Sequence, residues 1–176
     1  MTALKHRLPE RLSTERLVLV TPDLTHVPRI AALANNERVH RVMSRLPFPY
    51  SEDDALFFIN EVVPDPQEKC FAITLGGQFI GVVGLSMGPD TAPELGYWLG
   101  EAYWNHGYAT EAARAVIAAA KEAGATSLKS RALMSNAPSR NVLKKLGFIE
   151  IGEGTDQQGT LMGQSIMFMR LELDRE

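Results

Sequence analysis

The stretch Trp104 to Thr110 reads WNHGYAT, and an apolar helical pattern runs from it to Gly124. Ala109, Ala112, Ala113, Val116 and Ala120 fall on one face, and Gly124 stands where a helix stops. A helix N-terminus presents unpaired backbone N–H groups and a partial positive charge, which together suit a phosphate. Gly107 lets the backbone turn and approach a ligand with no Cβ in the way. Ala109 keeps the next turn slim, and Thr110 adds a hydroxyl donor. Asn105 to Thr110 would thus cradle a pyrophosphate with main-chain donors; the alternative is an ordinary turn and helix start. No Gly-Lys-Ser/Thr follows and no GxGxxG is present, so the pattern matches neither a Walker loop nor a dinucleotide fingerprint.

The elements that would hold this helix follow from periodicity. Glu15–Thr21 alternates and is β-branched, the mark of a strand. Residues 23–36 place Leu24, Val27, Ile30, Ala31 and Ala34 on one helical side. SEDDALFFINEVV predicts a second helix, with Ser51 and Asp54 as a capping box and Ala55, Phe58, Ile59 and Val62 on its inner face. Strands over 70–75 and 79–86 are joined by Gly76-Gly77, a hairpin signal. A strand over 94–99, the cradle helix and a strand over 127–133 come next. A short helix over 139–146 ends at Gly147, and strands over 148–151 and 165–173 close the chain. The order β-α-α-β-β-β-α-β-α-β-β predicts an α/β (α+β mixed) fold, a mixed sheet with helices against it.

A chain of 176 residues, 45% hydrophobic and 22% charged, fits one domain over residues 1–176. A net charge of −3 gives no general attraction to nucleic acid. Cys70 is the single cysteine, which excludes an internal disulfide and a cysteine-based zinc cluster. His6, His26, His40 and His106 lack metal-ligand spacing, so no metal is expected. The start MTALKHRLPERLSTERL has no signal-peptide core, and no apolar run reaches bilayer length. A soluble, cytoplasmic protein without a membrane partner is the expectation.

A second segment, SNAPSRNVLKKLGF from Ser135 to Phe148, follows the strand after the cradle helix. Together the two segments resemble the GNAT superfamily of acyl-CoA-dependent N-acetyltransferases. Its signature Gln/Arg-x-x-Gly-x-Gly/Ala is matched by Trp104-Asn105-His106-Gly107-Tyr108-Ala109, with Trp104 in the Gln/Arg place. Its later signature, Asn-x-x-Ala/Ser-x-x-Leu/Val with Gly-Phe downstream, is met by Asn136, Ser139, Val142, Gly147 and Phe148. PELGYWLGEAYWNHGYATEA looks most like the RimJ/RimL branch, which acetylates ribosomal protein N-termini. The resemblance runs from ERLVLV to the last strand.

What the resemblance implies is a central, mostly antiparallel sheet splayed between its fourth and fifth strands, over 94–99 and 127–133, with helices on both faces. Acetyl-CoA would lie in that notch as co-substrate, its thioester carbonyl meeting a main-chain N–H near Leu99 or Gly100. Trp104 to Thr110 would hold the pyrophosphate, His106 either touching it or just occupying the loop. Asn136 would meet the pantetheine amides or cap a helix. An amine attacking a thioester passes through an oxyanion, which a fixed N–H stabilises. Direct transfer needs no covalent enzyme intermediate, so the lack of a Ser-His-Asp or Cys-His arrangement is no obstacle.

Many superfamily members place a proton-donating tyrosine where this chain has Leu143. Ser139 is the expected substitute beside the sulfur, its alternative role being a helix cap. Glu94 is the expected base for the amine, acting through water, or else a solvated strand-end residue. Glu111 suits only the helix dipole. Tyr97 and Trp98 alternate, one lining the acceptor channel and the other packing inside. Phe48 and Tyr50, between Pro47 and Pro49, form an apolar lip, and Asp53, Asp54, Glu61 and Asp65 could attract a cation. The acceptor is read as a protein or peptide α-amine. Alternatives are a small amine (antibiotic, polyamine or amino acid) and a non-catalytic acyl-CoA sensor. The apolar IMFMRLEL strand could pair two copies as a homodimer.

Overall fold

The computed structural model describes residues 3–174. Met1, Thr2, Arg175 and Glu176 lie outside the described residues, the first two belonging to the opening segment read above for a signal peptide. The strands are β1 Arg11–Ser13, β2 Leu17–Val20, β3 Glu68–Leu75, β4 Gln78–Ser86, β5 Glu94–Leu99, β6 Ser127–Leu133, β7 Ile149–Thr155 and β8 Ser165–Glu172. The α-helices are α1 Leu4–Arg7, α2 Val27–Ala34, α3 Glu37–His40, α4 Glu52–Phe57, α5 Tyr108–Glu122 and α6 Ala137–Lys145.

The strands form one sheet in the order β1-β2-β3-β4-β5-β6-β8-β7. Every pairing is antiparallel except β5 with β6, which is parallel and joined at a single registered pair, Glu94 with Lys129. Beside that pair the Lys129 N–H donates to the Pro93 carbonyl at 2.9 Å, and the buried Ser130 hydroxyl donates to the Leu95 carbonyl at 2.8 Å. Ser130 thus supplies from its side chain the last link between the two strands before they part. The expected splay is present, and it opens toward the C-terminal end of β5.

Two cores sandwich the sheet. Under α5, Phe71, Ile73, Val83, Leu85 and Leu95 meet Ala112, Ala113, Val116 and Ala120, small residues that let the helix lie close to the strands. On the other face α2, α4 and the turn after α4 bring Ile30, Ala34, Ala55 and Ile59 onto Ala72, Phe79, Val82 and Trp98. The sequence periodicity of both faces is the cause of this layering.

Several elements differ from expectation, and α1 and β1 were not expected at all. The segment expected as one helix over 23–36 begins as a 3-10 turn capped by Asp23, continues as α2 with Pro28 in its first turn, and is followed by α3, which Asn36 caps. α4 keeps its Ser51–Asp54 capping box but widens after Phe57 into a π turn over Phe58–Val62. β1 is too short to show alternation. β7 runs on to Thr155, paired with β8 as far as Ser165; its side chains are almost all exposed, so no burial pattern marked its length.

Candidate active site

The notch between β5 and β6 continues into a cleft of about 1910 Å³, which reaches from the start of α5 to the loops at the far edge of the sheet. β5 divides it. Leu95, Tyr97 and Leu99 face α5 and α6, whereas Glu94 and Trp98 face α2 and α4, as strand alternation requires.

On the first side the main chain does most of the work. The Gly100 N–H donates to the Ile80 carbonyl at 2.9 Å, within the ladder that joins β5 to β4. Alternate residues of such a ladder turn their polar groups to the other edge. The N–H and C=O of Leu99 therefore face the notch, and that carbonyl accepts the Trp104 indole N–H at 2.9 Å. Of the two residues expected near a thioester carbonyl, Leu99 offers the donor and Gly100 does not. Trp104 ties the loop to β5 rather than presenting its N–H to a phosphate.

The loop into α5 bends through left-handed conformations at Asn105 (φ 64°) and Gly107 (φ 79°). No side chain caps α5, and its first internal bond runs from the Glu111 N–H to the Gly107 carbonyl at 3.0 Å. The N–H groups of Tyr108, Ala109 and Thr110 are left without helical partners, at the positive end of a helix of 15 residues. That donor set fits a pyrophosphate.

Arg16, which sequence reasoning missed, clamps this loop. Its Nη1 donates to the His106 carbonyl at 2.9 Å and its Nε to Glu111 Oε1 at 2.7 Å. The guanidinium lies 4.5 Å from the centre of the Tyr108 ring. Glu111 also accepts the Thr14 hydroxyl at 2.5 Å and the Arg16 N–H at 2.9 Å. Burial pushes the Glu111 carboxyl up, but the hydrogen bonds from Thr14 and Arg16 outweigh it and hold the pKa below the ordinary value. Glu111 thus does more than complement the helix dipole. No spacing in the sequence links residues 14 and 16 to residue 111, so no local signal could have shown the clamp. The His106 side chain is exposed, its ring 5.5 Å from that of Tyr108.

At the start of α6 the cap is Asn136, whose Oδ1 accepts the Ser139 N–H at 3.3 Å. Ser139 is therefore free of capping, and its hydroxyl lies 2.9 Å from the Tyr97 phenol oxygen. Burial pushes the Tyr97 phenol above its usual range, partly offset by the Ser139 hydrogen bond.

The second side of the cleft is made of ion pairs. Arg131 donates from Nε and Nη2 to the two oxygens of Glu94 at 2.5 and 3.2 Å, and its Nη1 lies 3.7 Å from the buried Asp156. Glu94 raises the Arg131 pKa through that hydrogen bond. Two strands over, in the same row, Glu68 accepts from the Ser86 hydroxyl at 2.9 Å and from Arg45 at 2.8 Å. Gly96, between Glu94 and Trp98, has open space where a side chain would stand.

Tyr50, Tyr97 and Trp98 line the cleft, whereas Phe48 sits on the surface against His40, ring centres 5.7 Å apart. Burial pushes the Tyr50 phenol up to about 12. The four acids expected to draw in a cation do not gather: Asp54 lines the cleft but serves the Ser51 capping box, and Asp53, Glu61 and Asp65 stay outside. Beyond them the rim is joined. The Thr160 N–H donates to the Ser44 carbonyl at 3.1 Å and its hydroxyl to the Met43 carbonyl at 2.8 Å. A Cβ on Gly159 would fall 2.2 Å from the Ser44 carbonyl oxygen, so only glycine allows this approach.

A splayed sheet with an uncapped helix aimed at its opening defines an acyl-CoA-dependent transferase. Residues 16–149 match the family model described as Acetyltransferase (GNAT) domain, and the chain belongs to that family. It is an N-acetyltransferase that uses acetyl-CoA. Among curated proteins it is similar to the uncharacterized N-acetyltransferase p20 of Bacillus licheniformis, 29% identical over 154 residues, 81% of this chain and 84% of that one. Among solved structures it is similar to RimL, a ribosomal L7/L12 alpha-N-protein acetyltransferase in complex with coenzyme A. There the TM-score is 0.78 at 17% identity, covering 96% of this chain and 99% of that one. It is also similar to the spermidine N-acetyltransferase of Vibrio cholerae, with TM-score 0.77 at 17% identity, covering 91% and 97%. At such identities the likeness of the two structures is one of fold. None of the described helices is long and apolar enough to cross a membrane.

Proposed function

We propose that the protein transfers acetyl from acetyl-CoA to the α-amine of a peptide or protein, in the manner of the RimJ/RimL branch, within one domain spanning residues 1–176. The observation that carries this reading is the pairing of Glu94 with Arg131. A carboxylate whose two oxygens are held by a guanidinium offers an ammonium little net attraction. The site then favours an amine already partly neutral near pH 7. An α-amine, titrating near about pH 8, meets that condition, and a lysine near about 10.4 does not.

Acetyl-CoA supplies the activated acyl group. Leu99 N–H stands where a thioester oxygen would gain charge, and the open N–H groups of Tyr108 to Thr110 receive the pyrophosphate. Ser139 faces the departing sulfur, and Glu94, through water, receives the proton that the amine sheds. Support for a second reading, a small free amine, comes from the joined rim at Ser44 and Thr160, which suits any slender acceptor. The cytoplasm is the proposed compartment. The IMFMRLEL strand expected to pair two copies is β8, which lies between β6 and β7 with both edges used and Ile166, Met167 and Met169 buried, so it has no edge to offer. Ile149 and Ile151, exposed on the edge strand β7, support pairing with a second copy instead.

The test is a panel of acceptors read by release of free CoA thiol: peptides with free N-termini, N-blocked lysine peptides, polyamines, aminoglycosides and amino acids. Free N-termini are expected to give the highest kcat/KM. On the best acceptor, Glu94→Gln should slow transfer most near pH 6 and lose its effect as pH rises past the amine's pKa. Preference for lysine peptides or polyamines overturns the α-amine reading. A defect constant from about pH 6 to 9.5 would make Glu94 a holder of the acceptor and not its base.

A further inference from the structure

We infer that Tyr97 is a positioning residue for the transfer, holding the Ser139 hydroxyl so that its one proton points into the notch. The inference rests on the reading of Ser139 as the group beside the departing sulfur.

A serine in the first turn of a helix has several uses for its hydroxyl. It can cap its own helix, or it can bond back to a carbonyl one turn earlier. Capping is already done by Asn136. The nearest side-chain partner in the described residues is the Tyr97 phenol, at 2.9 Å. Among the described residues the only other acceptor for that phenol is the Ser139 carbonyl at 3.4 Å, a much weaker contact. With Tyr97 donating to Ser139 Oγ, the serine oxygen is filled on one side and its own O–H is left for a new acceptor. Hydrogen bonds in such a chain polarise one another, which makes the terminal O–H a better donor to developing negative charge.

β5 is what makes the arrangement rigid. Tyr97 lies on the face toward α5 and α6, two residues before Leu99, so a single strand carries both the backbone donor for the carbonyl oxygen and the phenol that aims Ser139. The phenol keeps its proton throughout the working range, since burial raises its pKa. Tyr97 is therefore a fixed donor and never the source of the proton. As the carbon–sulfur bond breaks, its electron pair goes to sulfur, and Ser139 offers that sulfur a hydrogen bond without giving up its proton. The sulfur then takes the proton that the attacking nitrogen shed toward Glu94, returned through water.

Full-length Tyr97→Phe keeps the ring and removes only the hydroxyl. With the best acceptor at saturation, its kcat is expected to fall roughly tenfold, with the KM for acetyl-CoA within about twofold of wild type. Ser139→Ala should fall at least as far, and Tyr97→Phe with Ser139→Ala should be no slower than Ser139→Ala alone, because Tyr97 acts through Ser139. Thermal unfolding of each variant checks that the fold is kept, and Tyr97→Leu serves as a control in which packing is lost as well. Wild-type kcat in Tyr97→Phe, or defects that multiply in the double variant, overturn the inference while leaving Ser139 in place. Wild-type kcat in Ser139→Ala overturns the reading of Ser139 and this inference together.

Discussion

The two sides of the cleft are built from different materials. Toward α5 the polar groups left open to the cleft are backbone N–H groups of Leu99 and of Tyr108 to Thr110, and the side chains around them mostly hold the backbone in place. Toward α2 and α4 the polar groups are side chains, Glu94, Arg131, Glu68, Arg45 and Asp156, already paired with one another. A backbone donor is the same in any sequence, so the first side can be changed only where chain conformation depends on a particular residue. The second side can be rewritten by any substitution. A shared co-substrate and a private acceptor are what this division suits.

The largest effect is expected where the backbone itself is broken. Gly107→Val forces a β-branched residue to φ 79° and brings its Cβ to about 3.3 Å from Arg16 Nη2. Strain of this kind costs about 1–3 kcal/mol, so the Kd for acetyl-CoA should rise roughly tenfold to a hundredfold. Calorimetry on the folded variant measures it, and unchanged affinity would dissolve the contrast between the two sides.

A smaller effect, confined to the other side, is expected from Gly96→Leu. The space beside Gly96 is open, so the side chain should project into the acceptor region without moving the strand. KM for the acceptor should rise about tenfold while the Kd for acetyl-CoA stays within about twofold, a loss of ~1.4 kcal/mol borne by one substrate only. If acetyl-CoA binding weakens equally, β5 does not separate the two substrates.

The smallest effect is expected from Arg16→Ala, because the guanidinium is partly exposed and the N–H groups it steadies remain. The Kd for acetyl-CoA should rise about threefold. Stability should fall as well, and its pH dependence has a fixed sign. Glu111 has a depressed pKa in the folded protein, so its stabilisation is full above the ordinary carboxylate pKa of about 4.3 and is lost as pH falls through the lower folded value. The Tm difference between wild type and Arg16→Ala should therefore be greatest near pH 6 and shrink below about pH 4. A gap that widens in acid would mean that the clamp draws on something other than Glu111.

The same contrast explains what could be read from the sequence. Gly107, Ala109 and Thr110 stand within four positions, so the helix terminus they shape has a local pattern; β5 and β6 were legible as strands, whereas the notch between them was implied by the family resemblance alone. Asn136, Ser139 and their helix were legible for the same reason. Pairings such as Arg16 with Glu111, Tyr97 with Ser139 and Arg131 with Glu94 join residues 37 to 95 positions apart. Their partners are chosen by the order of strands in the sheet, which no spacing encodes. The four acids expected to gather did not, because Asp54 serves its own turn, a competing local use that the sequence itself displayed, and Asp53, Glu61 and Asp65 lie outside the cleft.

The contact of Gly159 and Thr160 with Ser44 has a mechanical consequence. Loops more than a hundred residues apart are tied together at one rim of the cleft. Neither can swing away while both hydrogen bonds hold, so the width of that rim is set by the fit between the two loops and not by either alone. A substitution in one loop then acts on the other, although no stretch of sequence joins them.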